Sequence, residues 1–396
     1  MPTTLTFFPV GNGDMTLVKL ADVDATSILI DINIRFDADD ENSSTRDVAA
    51  DLRARLQRDG NGRPFVDVFL LSHPDQDHCR GLERHFYLGS LGDYPDDEKP
   101  QNEKRIIIRE IWSSPIVFRR ASKNHTLCAD AKAFNCEAKR RVKVNKESGF
   151  VVVDGDRIRV LGEDTDGKTD DLGPILWKTG DKFSLIRGRD FTAHFTGHLL
   201  APIKADDDPE LEDNLSKNHS SVIINFMFAS GALTPDEVKF LTGGDAEVLI
   251  WSKLWEKYEH TPEVLEYDVM QTPHHCSWHS LSYDSWSDKK EKARVEPAAR
   301  SALGQARPGA VIVASSKPVR DDDVDPPCIR AKREYQDILK AQGGTFVCTD
   351  EYPKETAPEP YVLTVTAEGA SKPSVSQAAA KLGAAASVAR EPMPHG

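Results

Sequence analysis

The chain has 396 residues and a formal charge of −14, with 39% hydrophobic and 29% charged residues. This size and balance describe one large α/β domain with insertions, or two ordinary ones, and no apolar run approaches the roughly 20 residues that span a bilayer. The acidic balance disfavours non-specific binding of a polyanion, whose phosphates draw on Lys and Arg. It leaves Lys139-Arg140-Arg141-Val142-Lys143 and the segment from Arg105 to Arg120 as the basic parts of the chain. Met1-Pro2-Thr3-Thr4 has neither the basic patch nor the apolar core of a secretory signal, so a cytoplasmic location and no membrane partner are expected. Cysteines at 79, 128, 136, 276, 328 and 348 form no regular framework, and disulfides are not expected. Cys79 and Cys276 adjoin loops rich in ligand-type residues, and each reads as a thiolate ligand or as a small buried thiol.

In chain order, residues 5–10 predict a first strand and Gly11-Asn12-Gly13-Asp14 a tight turn, with strands at Thr16 to Leu20 and Ser27 to Ile30. Asp31 ends the last of these. Asp14 reads equally as a turn-stabilising carboxylate or as a functional one. Val48, Leu52 and Leu56 recur at i, i+4, i+8, which predicts an amphipathic helix over 46–58 with Asp47 in its first turn. Val66 to Leu71 is β-branched and aromatic and predicts a buried strand. Behind it comes Ser72-His73-Pro74-Asp75-Gln76-Asp77-His78-Cys79-Arg80-Gly81. His73, Asp75, Asp77 and His78 crowd into six positions, and their mixture of imidazole and carboxylate suits one or two borderline divalent metals.

Ile106 to Trp112 predicts another strand, Lys123 to Lys146 a basic helical or loop segment, and Gly149 to Leu161 a hairpin-like pair. Glu163 to Gly173 is acidic and reads as an exposed loop. His194 and His198 read as structural or exposed. Asn218-His219-Ser220-Ser221 precedes an apolar strand, as Thr242-Gly243-Gly244-Asp245 follows one. Residues 247–258 predict a helix rich in Trp. Tyr267 to Pro273 predicts a strand that runs into His274-His275-Cys276-Ser277. Late elements are a strand at 310–315, a helix at 329–342, a strand within 343–350 and an edge strand at 361–366. From Glu368 onward large apolar residues almost vanish, which predicts disorder.

His73-x-Asp75-x-Asp77-His78 resembles the metal signature of the metallo-β-lactamase fold, His-x-His-x-Asp-His, with Asp75 at the second His. That form is typical of the competence-type hydrolases, which resemble the soluble domain of the DNA-uptake channel. Val10-Gly11-x-Gly13-Asp14, Ile28-Leu29-Ile30-Asp31, Asn218-x-x-Ser221, Thr242 to Asp245 and His274-His275 extend the resemblance. It implies an αββα sandwich: a hydrolase domain over 1–366 with an insertion within about 85–195, and a disordered tail at 367–396. It also implies two divalent ions, Zn²⁺ or Mn²⁺, held by His73, Asp75, Asp77, His78, Asp245 as the bridge, and His274 in preference to His275. His219 is a further candidate ligand or an ordinary polar residue at a strand start. Asp77, with His275 or His219, takes the catalytic part: Asp77 orients the attacking water, and the imidazole donates a proton. Asp14, Asp31, Asn218, Ser221 and Ser277 would support the ligands or touch substrate. Three departures stand out: an extra Gly before Asp245, Cys276 in place of Gly, and Val324-Asp325-Pro326-Pro327 where the family often carries Gly-His-Pro. The activity implied is a phosphodiesterase or nuclease acting on a phosphodiester or nucleotide. Hydrolysis of a lactone, amide or thioester at the same site is the alternative, as is a catalytically weak sensor or partner subunit. No residue pattern names a protein partner.

Overall fold

The computed structural model describes residues 2–38, 40, 42–119, 126–164, 167–203, 220–230, 238–366 and 369–371. Two large sheets and a set of helices make it a mixed α/β protein. In the larger sheet Thr4–Phe7, Thr16–Lys19 and Ser27–Ile30 form an antiparallel meander. Ser27–Ile30 then starts a parallel run through Pro64–Leu71, Ile106–Ser113 and Arg157–Leu161. In the smaller sheet Phe195–Ala201, Ile223–Phe228 and Val238–Leu241 are antiparallel, and Val238–Leu241 starts a second parallel run through Tyr267–Gln271, Ala306–Ala314 and Thr345–Cys348.

Every residue of Pro64–Leu71 is buried, which explains its nearly continuous apolar run. Val68 and Leu70 pack in a core shared with Val222, Ile224, Phe240 and Val311 of the smaller sheet. Phe69 and Leu71 turn the other way, onto Leu52, Phe134 and Ala138 of two helices. The smaller sheet likewise has a helical cover, from Trp251, Leu303 and Tyr335. Each large apolar side chain buried in these layers contributes about 1.5–3 kcal/mol.

Several sequence expectations change. The helix predicted over 46–58 stops at Arg53, with Asp47 accepting from the Ala50 N–H at its start. Gln57–Arg58 instead pairs antiparallel with Pro64–Phe65, and Gly62 at φ +73° completes the hairpin between them. Only one strand forms within 149–161, and it joins the parallel run. Tyr361–Thr366 is no edge: it lies between Thr4–Phe7 and Gly369–Ser371. That last strand occupies the start of the expected tail, and residues 372–396 lie outside the described residues. Ile106–Ser113, expected as a core strand, and Arg157–Leu161 both belong to the larger sheet.

The basic run at 139–143 sits in the helix Ala129–Glu147, where its arginines are consumed internally. Arg141 is 1% exposed and donates to Glu137 and to the carbonyls of Ile108 and Arg157, which ties the helix to the sheet. Arg140 is paired with Glu137 and Asp156. A guanidinium used this way offers nothing to a phosphate chain. Among the described residues no helix is long and apolar enough to cross a membrane.

Candidate metal centre

Four parallel-run strands deliver their C-terminal ends to one place, where ligand-bearing loops of open α/β sheets gather. Ser27–Ile30 leads to Asp31, Pro64–Leu71 to the loop from Ser72, Val238–Leu241 to Asp245, and Tyr267–Gln271 to His274-His275. The turn after Thr4–Phe7 adds Asp14. It must pass close to its neighbours: Gly13 has φ +152°, and a Cβ there would lie 2.1 Å from Asn33 Nδ2 and 2.7 Å from the Asp77 carbonyl. Asn33 pins the turn by donating to the carbonyls of Val10 and Asn12, and the Asp14 N–H donates to the Asp77 carbonyl at 3.2 Å. Glycine at 13 follows from this crowding.

Asp245 sits at the middle. The Ser221 hydroxyl accepts from its backbone N–H at 2.9 Å. The extra glycine before it, Gly244, is left-handed at φ +47°, and a Cβ there would meet Ser221 and the Ser72 hydroxyl at 2.9–3.2 Å. On one side Asp245 Oδ1 lies 2.9 Å from His78 Nε2 and 3.4 Å from His275 Nε2, and that same nitrogen is 3.3 Å from Asp77 Oδ2. On the other side Oδ2 lies 4.0 Å from both His73 Nδ1 and His274 Nε2. Asp75 Oδ2 is 4.0 Å from His73 Nδ1. The carboxylate therefore divides two half-sites: Asp77, His78 and His275 around Oδ1, and His73, Asp75 and His274 around Oδ2.

A ring of partners holds the imidazoles. His78 Nδ1 is 2.9 Å from Asp31 Oδ2, and Asp31 also accepts from the Ser72 N–H at 2.7 Å. His275 Nδ1 is 3.4 Å from Asp14 Oδ1. Carboxylates behind imidazoles in this way fix ring orientation and raise ligand basicity. His73, His78, His275 and Asp245 are buried, whereas Asp77 and His274 are partly exposed and Asp75 is exposed, and these three form the mouth.

The residues fit a cation. His73 is 0% exposed, yet neither ring nitrogen has a hydrogen-bond partner. Both nitrogens of His275 and Asp14 Oδ1 are likewise buried without one, although carboxylates stand within ion-pair distance. Buried polar atoms left this way are costly unless something else satisfies them. Asp77, His78, Asp245 and His275 offer ligand atoms that all lie within 4.8 Å of one another, and Asp14, Asp31 and His78 form an overlapping group.

Electrostatics point the same way. Burial alone would push His275 down, but the carboxylates of Asp245, Asp14 and Asp77 overcome it and lift the imidazolium to about 10. His78 is raised well above its usual value by Asp245 and Asp31, again against burial. Burial raises Asp77, and the close approach and charge of His275, with the charge of His78, outweigh it and bring the carboxyl to about 2. His73, where burial dominates, is lowered. In the metal-free chain His275 contributes stability that is complete below its ordinary value of 6.5 and lost as pH climbs through about 10. The same proton must leave when a cation binds. Zinc uptake at pH 7 is therefore expected to release protons and to tighten as pH rises from 7 to 9, in about tenfold steps per proton and pH unit. Calorimetry in buffers of different ionisation enthalpy reads this directly; uptake independent of buffer would contradict it.

His73, Asp75, Asp77, His78, Asp245 and both His274 and His275 converge, with Asp14, Asp31 and Ser221 behind them. Both rings of the His-His pair approach Asp245, His274 at 4.0 Å and His275 at 3.4 Å, and His275 has the closer set of partners. Three successive left-handed residues, His274 at φ +48°, His275 at +52° and Cys276 at +68°, swing the second ring inward. Ser277 does not join the group: its hydroxyl accepts from the His279 N–H and bonds Asp325. Neither cysteine ligates. Cys276 is wholly buried, and the Cys79 sulfur lies 3.7 Å from the Cys128 sulfur, away from the ligand cluster. His219 and Asn218 lie outside the described residues. Asp325 was not anticipated: it accepts from the Trp278 N–H at 3.1 Å and braces the His-His turn. Glu247, 3.8 Å from His274 Nδ1, was also missed, though its place two residues after Asp245 was a signal.

No family model and no curated protein matches the chain. Among solved structures, a crystal structure of a protein of unknown function from Enterococcus faecalis is similar over 88% of each chain, at 9% identity and a TM-score of 0.28. So slight a likeness carries no argument. What fold and site define is a mixed α/β protein with a buried acid and imidazole cluster at converging strand ends.

Proposed function

We propose that the chain is a metal-dependent hydrolase of the metallo-β-lactamase fold, competence-type branch, and that its substrate is a phosphodiester. One observation carries the reading: Asp245 stands between two sets of imidazoles and carboxylates, several of them buried with unsatisfied nitrogens. The core shared by both sheets, with helical covers outside, supports the αββα sandwich. Divalent ions held by the two half-sites would supply Lewis acidity toward a phosphoryl oxygen and an activated water. The chain's own groups do the rest. Asp31 and Asp14 orient His78 and His275, Ser221 fixes Asp245, and Asp75, Asp77 and His274 face the mouth where substrate arrives. Asp77, held ionised, accepts a hydrogen bond from the attacking water.

Internal use of Arg140 and Arg141 favours a small phosphodiester, such as a nucleotide, over a long polyanion. With Mn²⁺ or Zn²⁺ supplied, the chain is expected to turn over bis(p-nitrophenyl) phosphate, and Asp77→Ala to lower that rate by about 10²–10⁴-fold. Turnover of acyl esters alone would move the reading to the lactone, amide or thioester class. Equal activity in the Asp77 variant would sink the mechanism.

A further inference from the structure

Behind the metal loop lies a pair of thiols that the reaction does not use. Cys79 follows His78 and closes the short helix Gln76–Cys79. Cys128 caps the 19-residue helix Ala129–Glu147, where its sulfur accepts from the Ala131 N–H at 3.4 Å. The two Sγ atoms are 3.7 Å apart. Of the six free cysteines this is the pair whose sulfurs are in contact, and one of its members, Cys128, is partly exposed while Cys79 is buried. A disulfide needs about 2.05 Å between sulfurs, so closing the pair calls for a shift of about 1.7 Å.

What rotation about the two Cα–Cβ bonds does not absorb of that shift falls on the backbone. Asp130, in the first turn of the long helix, accepts from the backbone N–H groups of Gly81 and Glu83 at 2.9 Å each. Arg141 anchors the same helix to the sheet farther along. The helix head is thus fixed on both sides, and the segment left to give is Asp75 to Cys79, which carries Asp77 and His78.

We infer that Cys79 and Cys128 are a dithiol–disulfide couple whose closure displaces the metal loop and weakens cation binding. The chemistry needs only a small disulfide such as oxidised glutathione. The Cys128 thiolate attacks one sulfur of the oxidant and expels one glutathione thiolate. Cys79 then gives up its proton and attacks the Cys128 sulfur, expelling the second. Two protein thiols are oxidised to one disulfide, and one small disulfide is reduced to two thiols. Cys128 suits the attacking part: the hydrogen bond from Cys79, seconded by the Ala131 N–H, outweighs burial and lowers its thiol to about 6.

Metal-loop displacement rests on the proposed metal centre; the couple itself does not. The test treats the reduced, metal-free full chain with oxidised glutathione, then reads non-reducing peptide maps, amide exchange over residues 75–81 and zinc uptake by equilibrium dialysis. A peptide linking Cys79 to Cys128 is expected, with faster exchange in the loop and zinc affinity lower by about tenfold or more. A phosphine reductant should restore both. Cys128→Ser, whose hydroxyl can keep the cap on the Ala131 N–H, should fold and ignore the oxidant. Glutathione resting on Cys128 without a link to Cys79, or a link that leaves loop exchange unchanged, overturns the inference. If the reduced chain takes up no zinc, the proposed function fails, while the map and the exchange still decide this one.

Discussion

Asp245→Asn is expected to cost the chain both ions together, lowering zinc affinity by more than about 100-fold and abolishing turnover with it. Its two oxygens face different partners, Oδ1 toward His78 and His275 and Oδ2 toward His73 and His274. Asparagine keeps the size and shape and leaves the backbone N–H on Ser221 untouched. It removes the negative charge and turns an N–H₂ toward one half-site, where a cation would meet donors instead of an acceptor. Loss of a supporting partner alone costs about 10–100-fold in metal affinity, and a direct ligand shared by two ions should exceed that. Equilibrium dialysis of the variant, with a thermal melt to verify folding, makes the measurement. A variant that binds one ion as tightly as the native chain would show that Asp245 serves a single half-site.

The second large effect is expected at Asp31, behind His78. Its Oδ2 sits 2.9 Å from His78 Nδ1, while Oδ1 accepts from the Ser72 N–H at 2.7 Å. Its backbone is left-handed at φ +52°, a conformation that asparagine tolerates better than most residues. Asp31→Asn should therefore fold, keep one acceptor, and lose the charge that holds His78 in place. Zinc affinity should fall by about 10–100-fold. Calorimetric titration reads the drop, and an unchanged affinity would mean that the Asp31 contact is only structural.

Much of the site was legible because its residues follow apolar strands. His73 to His78, Asp245 and His274-His275 each come directly after a run that had to be buried, so local pattern alone placed them at strand ends. Which way the two adjacent rings face was beyond the sequence. That depends on three left-handed residues at 274–276, which a His-His pair does not announce. Other misses share one cause: a long-range partner overrides a local pattern. Helical spacing ran through Leu56, but Gln57–Arg58 is drawn into pairing with Pro64–Phe65. Arg140 and Arg141 read as a surface patch, yet Glu137, Asp156 and two strand carbonyls claim them. Cys79 and Cys128, 49 positions apart, have no spacing that hints at contact.

The metal content of the purified chain after dialysis against zinc bears most directly on all of this. Two zinc ions per chain, lost in Asp245→Asn, is the expected result. A native chain that retains none would contradict the account at its foundation.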